Sequence, residues 1–139
     1  MNGYWPAGPL AYFKNAAGGA DITAVDGVTA AAPLTTESVV GLGTGSPFTD
    51  VFVEIHAVVG AATDDLVVKC FPSIDGTTFA SVPSQEAHVA VSVTQARKIV
   101  ALTAQEVGTA FKLTAAPAGA QTVNDLLLRY LKAGEYRQT

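Results

Sequence analysis

The sequence predicts an all-β fold, a single-domain β-sandwich with an extended N-terminal arm, and three observations carry that prediction. Apolar residues alternate with other residues along several runs, most clearly from Phe48 to Val59. Gly, Asp and Pro interrupt those runs at short intervals, as turns between strands require. The 49% hydrophobic content is carried more by Ala and Val than by Leu, so it forms no long oily segment. At 139 residues the chain has the size of one domain. A domain of that length buries roughly two-thirds of the surface its unfolded chain exposes.

Residues 1–20 show neither helical nor alternating periodicity and are expected to form the arm; residues 21–139 are expected to form the sandwich. Pro6 and Pro9 remove backbone donors, which suits an extended segment lying on a surface. Tyr4, Trp5, Tyr12 and Phe13 need burial, on their own domain or on a partner. They are the candidate interaction anchors. The pieces DITAV and SVVGLG read as short strands between turns. In Phe48–Val59 the residues Val51, Val53, Ile55, Ala57 and Val59 alternate with Phe52, Glu54, His56 and Val58, which predicts a strand with one buried face. LVVKCF predicts the next strand. Asp75-Gly76 then predicts a type I′ hairpin, which needs positive φ at both central residues.

HVAVSV is expected to turn Val89, Val91 and Val93 inward, with QARK at Gln95–Lys98 as a polar bend. KIVALTA and AFKLTAA are expected to pair as a hairpin across QEVGT. VNDLLLRYL fits a helix by propensity nearly as well as a strand. It is too short for a helix before Gly134, so a strand is expected, with Leu126, Leu128 and Tyr130 on one face and Leu127, Arg129 and Leu131 on the other. About eight strands in all describe a sandwich of the jelly-roll or immunoglobulin-like kind.

No chemistry of a catalytic site is visible, and neither an enzyme nor a cofactor is expected. One cysteine and two distant histidines, His56 and His88, do not make a zinc set. Cys70 sits in an apolar run and reads as a buried, inert thiol. GLGTGSP, Gly41–Pro47, lacks the Lys-Ser/Thr of a phosphate loop and precedes a strand, so it reads as a turn. Asp64-Asp65 lacks the further oxygen ligands of a calcium loop. Glu54, Glu86 and Glu106 leave a glycosidase carboxylate pair open, without an aromatic platform around them. A net charge of −4 and eight scattered basic residues speak against nucleic acid as a partner. No run reaches the roughly 20 apolar residues that cross a bilayer, and the N-terminus has no basic and apolar leader pattern. Only 14% of the residues are charged, which suits a protein packed against others.

The run PSIDGTTFASVPS, Pro72–Ser84, resembles a phrase of bacteriophage virion proteins in which S-x-D-G-T-x-F-x-x-V/I-P joins two strands of a sandwich. The later strands, ending in LLLRYLKAGEYRQT, are similar to those of small phage head and tail components. The resemblance implies a capsid decoration, or cement, protein. Such a protein assembles in the host cytoplasm, binds the outer surface of the head as a homotrimer and clamps the major capsid protein. Tyr4, Trp5, Tyr12 and Phe13 would then anchor the contact. Two alternatives stand beside it: a tail or head-tail connector subunit, and a carbohydrate-binding sandwich module.

Overall fold

The computed structural model describes residues 3–6, 10–41, 48–59, 65–90 and 96–136. Among them the elements follow as β1 (Gly3–Pro6), β2 (Ala11–Tyr12), β3 (Leu34–Thr35), β4 (Val39–Val40), β5 (Phe48–Val59), β6 (Leu66–Ser73) and β7 (Gln85–Val89). After these come β8 (Ala96–Thr103), one helical turn α1 (Ala104–Val107), β9 (Ala110–Pro117) and β10 (Val123–Tyr136). Sheet 1 has the order β1-β10-β5-β8, with β2 also on β10; sheet 2 has β3-β9-β6-β7, with β4 also on β9. Every strand pair is antiparallel.

The short strands β1 and β2 follow one another along β10, and β3 and β4 follow one another along β9, so each couple fills one strand position. The chain then has eight positions. The first lies beside the last, the second beside the seventh, the third beside the sixth and the fourth beside the fifth. That is a long antiparallel ribbon wrapped into two sheets, the jelly roll. Of the two sandwich topologies expected, the structure adopts this one.

Alternation along β5 is realised from Val51 to Ala57: Val51, Val53, Ile55 and Ala57 are buried, and Phe52 and His56 turn the other way, while the Val59 side chain lies outside the described residues. Leu126 and Leu128 of β10 join them from sheet 1. Val68 and Cys70 of β6 and Phe111, Leu113 and Ala115 of β9 face them from sheet 2. The Phe13 ring meets Phe111 edge-on at 6.0 Å and Tyr130 at 4.8 Å, tying the two sheets together. Where β3 ends, the buried Thr36 hydroxyl accepts the Leu113 N–H at 3.0 Å and donates to the Glu37 carbonyl, filling the gap before β4.

The N-terminal segment does not stand apart from the sandwich. Gly3–Pro6 pairs with Tyr136–Ala133, and Ala11–Tyr12 with Tyr130–Arg129. Phe13 N–H donates to the Leu128 carbonyl, and Leu128 N–H to the Ile22 carbonyl. DITAV appears as two isolated bridges, Asp21 to Lys14 and Val25 to Leu126, followed by Val28 to Val123.

Three local expectations are corrected. The type I′ hairpin does not form: Gly76 has φ of +83°, but Asp75 is not left-handed. The Asp75 carboxylate instead accepts the Thr77 and Thr78 N–H groups and the Ser73 hydroxyl, folding an irregular loop before β7. QARK is no bend from Ala96 onward, because Arg97 and Lys98 pair with His56 and Ile55 inside β8. β8 and β9 make no hairpin, since β8 joins β5 in sheet 1 and β9 joins β6 in sheet 2. Between them the Glu106 carboxylate reaches back over the start of α1 and accepts both the Thr103 N–H at 3.1 Å and the Thr103 hydroxyl at 2.9 Å. Val91, Val93 and Gln95 lie outside the described residues.

Candidate functional site

The outer face of sheet 1 is set by register. Opposite Glu54 stand Ile99 on β8 and Arg129 on β10, and Tyr12 on β2 lies beyond Arg129. One step along the strands, Phe52 stands between Ala101 and Leu131. One step the other way, His56 stands between Arg97 and Leu127. Period two turns all of these outward while their chain neighbours fill the core.

Glu54 lies at the centre and is only 8% exposed. Arg97 grips Oε2 through Nε at 2.9 Å and Nη2 at 2.6 Å, and Arg129 Nε donates to Oε1. His56 Nε2 lies 3.4 Å from Oε2. The Arg129 hydrogen bond, helped by Arg97 and His56, outweighs burial and lowers the Glu54 carboxyl to about 2. A carboxylate held that low cannot act as a general acid near neutrality. It binds two guanidiniums inside an otherwise apolar surface and offsets one of their two charges, so the knot stays cationic.

Around this knot lie Leu10, Phe52 and Ile99, exposed by 50%, 36% and 55%. With Leu131 and the three charged groups they line a shallow groove of about 260 Å³. The Arg129 guanidinium sits 5.9 Å from the centre of the Tyr12 ring, so the aromatic edge of the face is joined to the knot.

The structure separates the four aromatic anchors expected from sequence. Tyr12 reaches the face. Phe13, its chain neighbour, points the opposite way and is fully buried in its own domain, which removes it from any partner contact. Tyr4 and Trp5 have backbones paired with Glu135 and Gly134, and their side chains lie outside the described residues. The members of the face absent from the expected site are Leu10, Phe52, Glu54, Arg97, Ile99, Arg129 and Leu131. The outward half of the β5 alternation, Phe52-x-Glu54-x-His56, was their signal, because period two places these three side chains together on the face turned away from the core.

The remaining candidates do not converge. Glu86 contacts His88 at 3.0 Å on the outer face of sheet 2, and Glu106 caps α1, so the three carboxylates lie on separate surfaces. Cys70 is buried, its thiol pushed up to about 11 chiefly by burial. Among the described residues no three His, Cys, Asp or Glu side chains gather as metal ligands. Asp64 and residues 42–47 of the glycine-rich turn fall outside the described residues.

No protein-family model matches the sequence, and no curated protein matches it. Two solved structures show the level of likeness found. One is a family GH115 4-O-methyl-α-glucuronidase with specificity for decorated arabinogalactans, at 14% identity and a TM-score of 0.44, over 97% of this chain and 18% of that one. The other is the N-terminal cellulose-binding domain of β-1,4-glucanase C from Cellulomonas fimi, at 11% identity and a TM-score of 0.44, over 97% and 99%. This chain thus spans under a fifth of the first enzyme. Likenesses at this level assign neither family nor function.

Proposed function

We propose that this chain is a non-enzymatic structural protein of a virion, which attaches to the outer surface of the capsid and stabilises the head by binding the major capsid protein. The contact is the outer face of sheet 1. One observation carries the proposal: Leu10, Phe52 and Ile99 stand exposed around a carboxylate that two arginines already hold on the outer face of sheet 1. Large exposed apolar side chains grouped on one surface mark protein contacts. A carboxylate paired within the molecule also spares a partner the cost of burying it unpaired. The hairpin phrase at Pro72–Ser84 and the charge-poor composition point in the same direction. Many copies attached to one shell would add their weak contacts as avidity.

The test adds purified protein to undecorated heads of the virus that carries the gene and follows co-sedimentation. Phe52→Asp is expected to abolish binding with the melting temperature unchanged. Full binding by that variant, or absence of the protein from purified virions by mass spectrometry, would sink the proposal. Rings of the isolated protein under the electron microscope would favour the connector alternative. Hits on a glycan array that disappear with Tyr12→Ala would favour the carbohydrate-binding one.

A further inference from the structure

The sandwich has four sheet edges, and three are built from short pieces. β3 and β4 have two residues each, β1 and β2 have four and two, and β7 has five. β8 is different: eight residues, Ala96–Thr103, with no Pro or Gly and a continuous register on β5. Long regular edges are what sheets ordinarily avoid, because their unpaired backbone groups recruit another strand.

Which backbone groups point outward can be derived. Both polar groups of Leu128 are used on the side of β10 away from β5, by Phe13 and Ile22. Alternation therefore turns Leu127, Arg129 and Leu131 toward β5, and their partners His56, Glu54 and Phe52 toward β10. Val51, Val53, Ile55 and Ala57 are left to bond β8, through Leu102, Val100, Lys98 and Ala96. Arg97, Ile99, Ala101 and Thr103 then face away from the sheet. The Thr103 N–H agrees, since it is held by the Glu106 carboxylate. Among the described residues, no backbone hydrogen bond to Arg97, Ile99 or Ala101 comes from that side.

We propose that β8 pairs antiparallel with β8 of a second copy of this chain across a two-fold axis at Ile99. In this register Arg97 faces Ala101 of the other copy, and every free N–H and C=O of Arg97, Ile99 and Ala101 finds a partner while Thr103 keeps its cap. Charge selects a second copy as the occupant. The start of β8 carries Arg97 and Lys98, and its end is flanked by Asp50, opposite Thr103, and by Glu106. Antiparallel self-pairing lays the basic end of each copy toward the acidic end of the other and sets no cation against a cation. The Lys98 ammonium is tied to the His88 carbonyl of its own β7 at 2.9 Å, so it does not shield the edge. Ile99, 55% exposed in the single chain, becomes the centre of the seam. The two sheet-1 faces become one surface, and the assembly is a dimer in place of the trimer that the phage resemblance implies. Pairing at β8 does not depend on what the face binds.

The test uses the full chain with Ile99→Cys. Cys70 is buried and stays silent, so oxidation reads the seam alone. Val82→Cys, in an exposed loop, measures random collision. Ile99→Cys is expected to form a covalent dimer roughly a hundredfold faster than Val82→Cys, because pairing makes the reaction intramolecular. Ala101→Pro removes one outward donor per copy without touching the bonds to β5, and is expected to weaken dimerisation roughly tenfold in sedimentation equilibrium. Circular dichroism verifies that this variant folds. Equal oxidation rates for the two cysteine variants, or a wild-type chain that sediments as a monomer up to millimolar concentration, would overturn the proposal. If Ala101→Pro fails to fold, the cysteine comparison decides alone.

Discussion

The outer faces of the two sheets are built on the same strand geometry and treat charge in opposite ways. Sheet 2 turns Val67 and Lys69 of β6, Lys112 and Thr114 of β9, and Glu86 and His88 of β7 outward, and its charged groups meet only in exposed contacts with none of them buried. Lys112 rests over the Phe79 ring at 4.8 Å, and His88 is shared between Glu86 and Asp65 in exposed pairs. Sheet 1 gathers its charge into one knot at Glu54 and surrounds it with Leu10, Phe52, Ile99 and Leu131. A face meant for water distributes its ions, since hydration stabilises each of them separately. A face meant for another protein satisfies its ions in advance. On the proposed function, the difference reflects which sheet is covered by a partner.

That contrast can be broken at several strengths. The largest effect is expected for Phe13→Ala, which empties the position joining Phe111 of sheet 2 to Tyr130 of sheet 1. Thermal or denaturant unfolding should register a loss of about 3–5 kcal/mol. Both faces depend on this ring, so neither survives its removal selectively.

Next comes the knot. Glu54→Ala should cost about 1–3 kcal/mol, because two guanidiniums lose their acceptor. Glu86→Ala on sheet 2 should stay within about 0.5 kcal/mol, as exposed substitutions usually do. Equal losses at the two positions would erase the distinction between the faces. Acid sharpens the same comparison. The Glu54 carboxyl lies at about 2 in the folded chain against an ordinary 4.5, so its contribution is complete above that ordinary value and disappears as the pH falls through about 2. In urea unfolding measured against pH, wild type should lose stability across that window, and Glu54→Gln should lose correspondingly less.

Smaller again is the effect of deleting residues 1–9, which removes β1 but keeps β2 and Phe13. The melting temperature should fall by less than for Phe13→Ala, and head binding then measures what Tyr4 and Trp5 contribute. Lys112→Ala should cost less than Glu54→Ala and a little more than Glu86→Ala, because only a cation over Phe79 is lost, on the order of 0.5–1 kcal/mol in chemical unfolding.

The architecture was readable where one strand carries its own pattern. Phe48–Val59 emerges with the expected bounds because its alternation needs no partner to be seen. The run at Leu126–Leu131 is a strand because it lies between two neighbours, which overrides a propensity that does not distinguish it from a helix. Pairing was not readable. β8 and β9 look like a hairpin in one dimension, yet the wrapped ribbon sends them to different sheets. The turn at Asp75 departs from its sequence signal because Asp-Gly favours a tight hairpin, whereas here the carboxylate organises a longer loop around itself. The face escaped notice for the same reason as the pairing. Its central carboxylate meets arginines 43 and 75 residues away, and only the register of three strands brings them together.

Placing the first segment of the chain against its last strand also orders events in time. Phe13, Ile22, Val25 and Val28 all bond to residues of β10, which lies at Val123–Tyr136. Nothing synthesised before β10 can stand in for it at the middle of sheet 1, between β1 and β5. A ribosome making this chain therefore holds an unclosed sandwich until β10 has emerged. Closure over such sequence separations is slow, on the scale of milliseconds to seconds. Until then the apolar side chains of β5 and β6 remain open to other nascent chains and to chaperones.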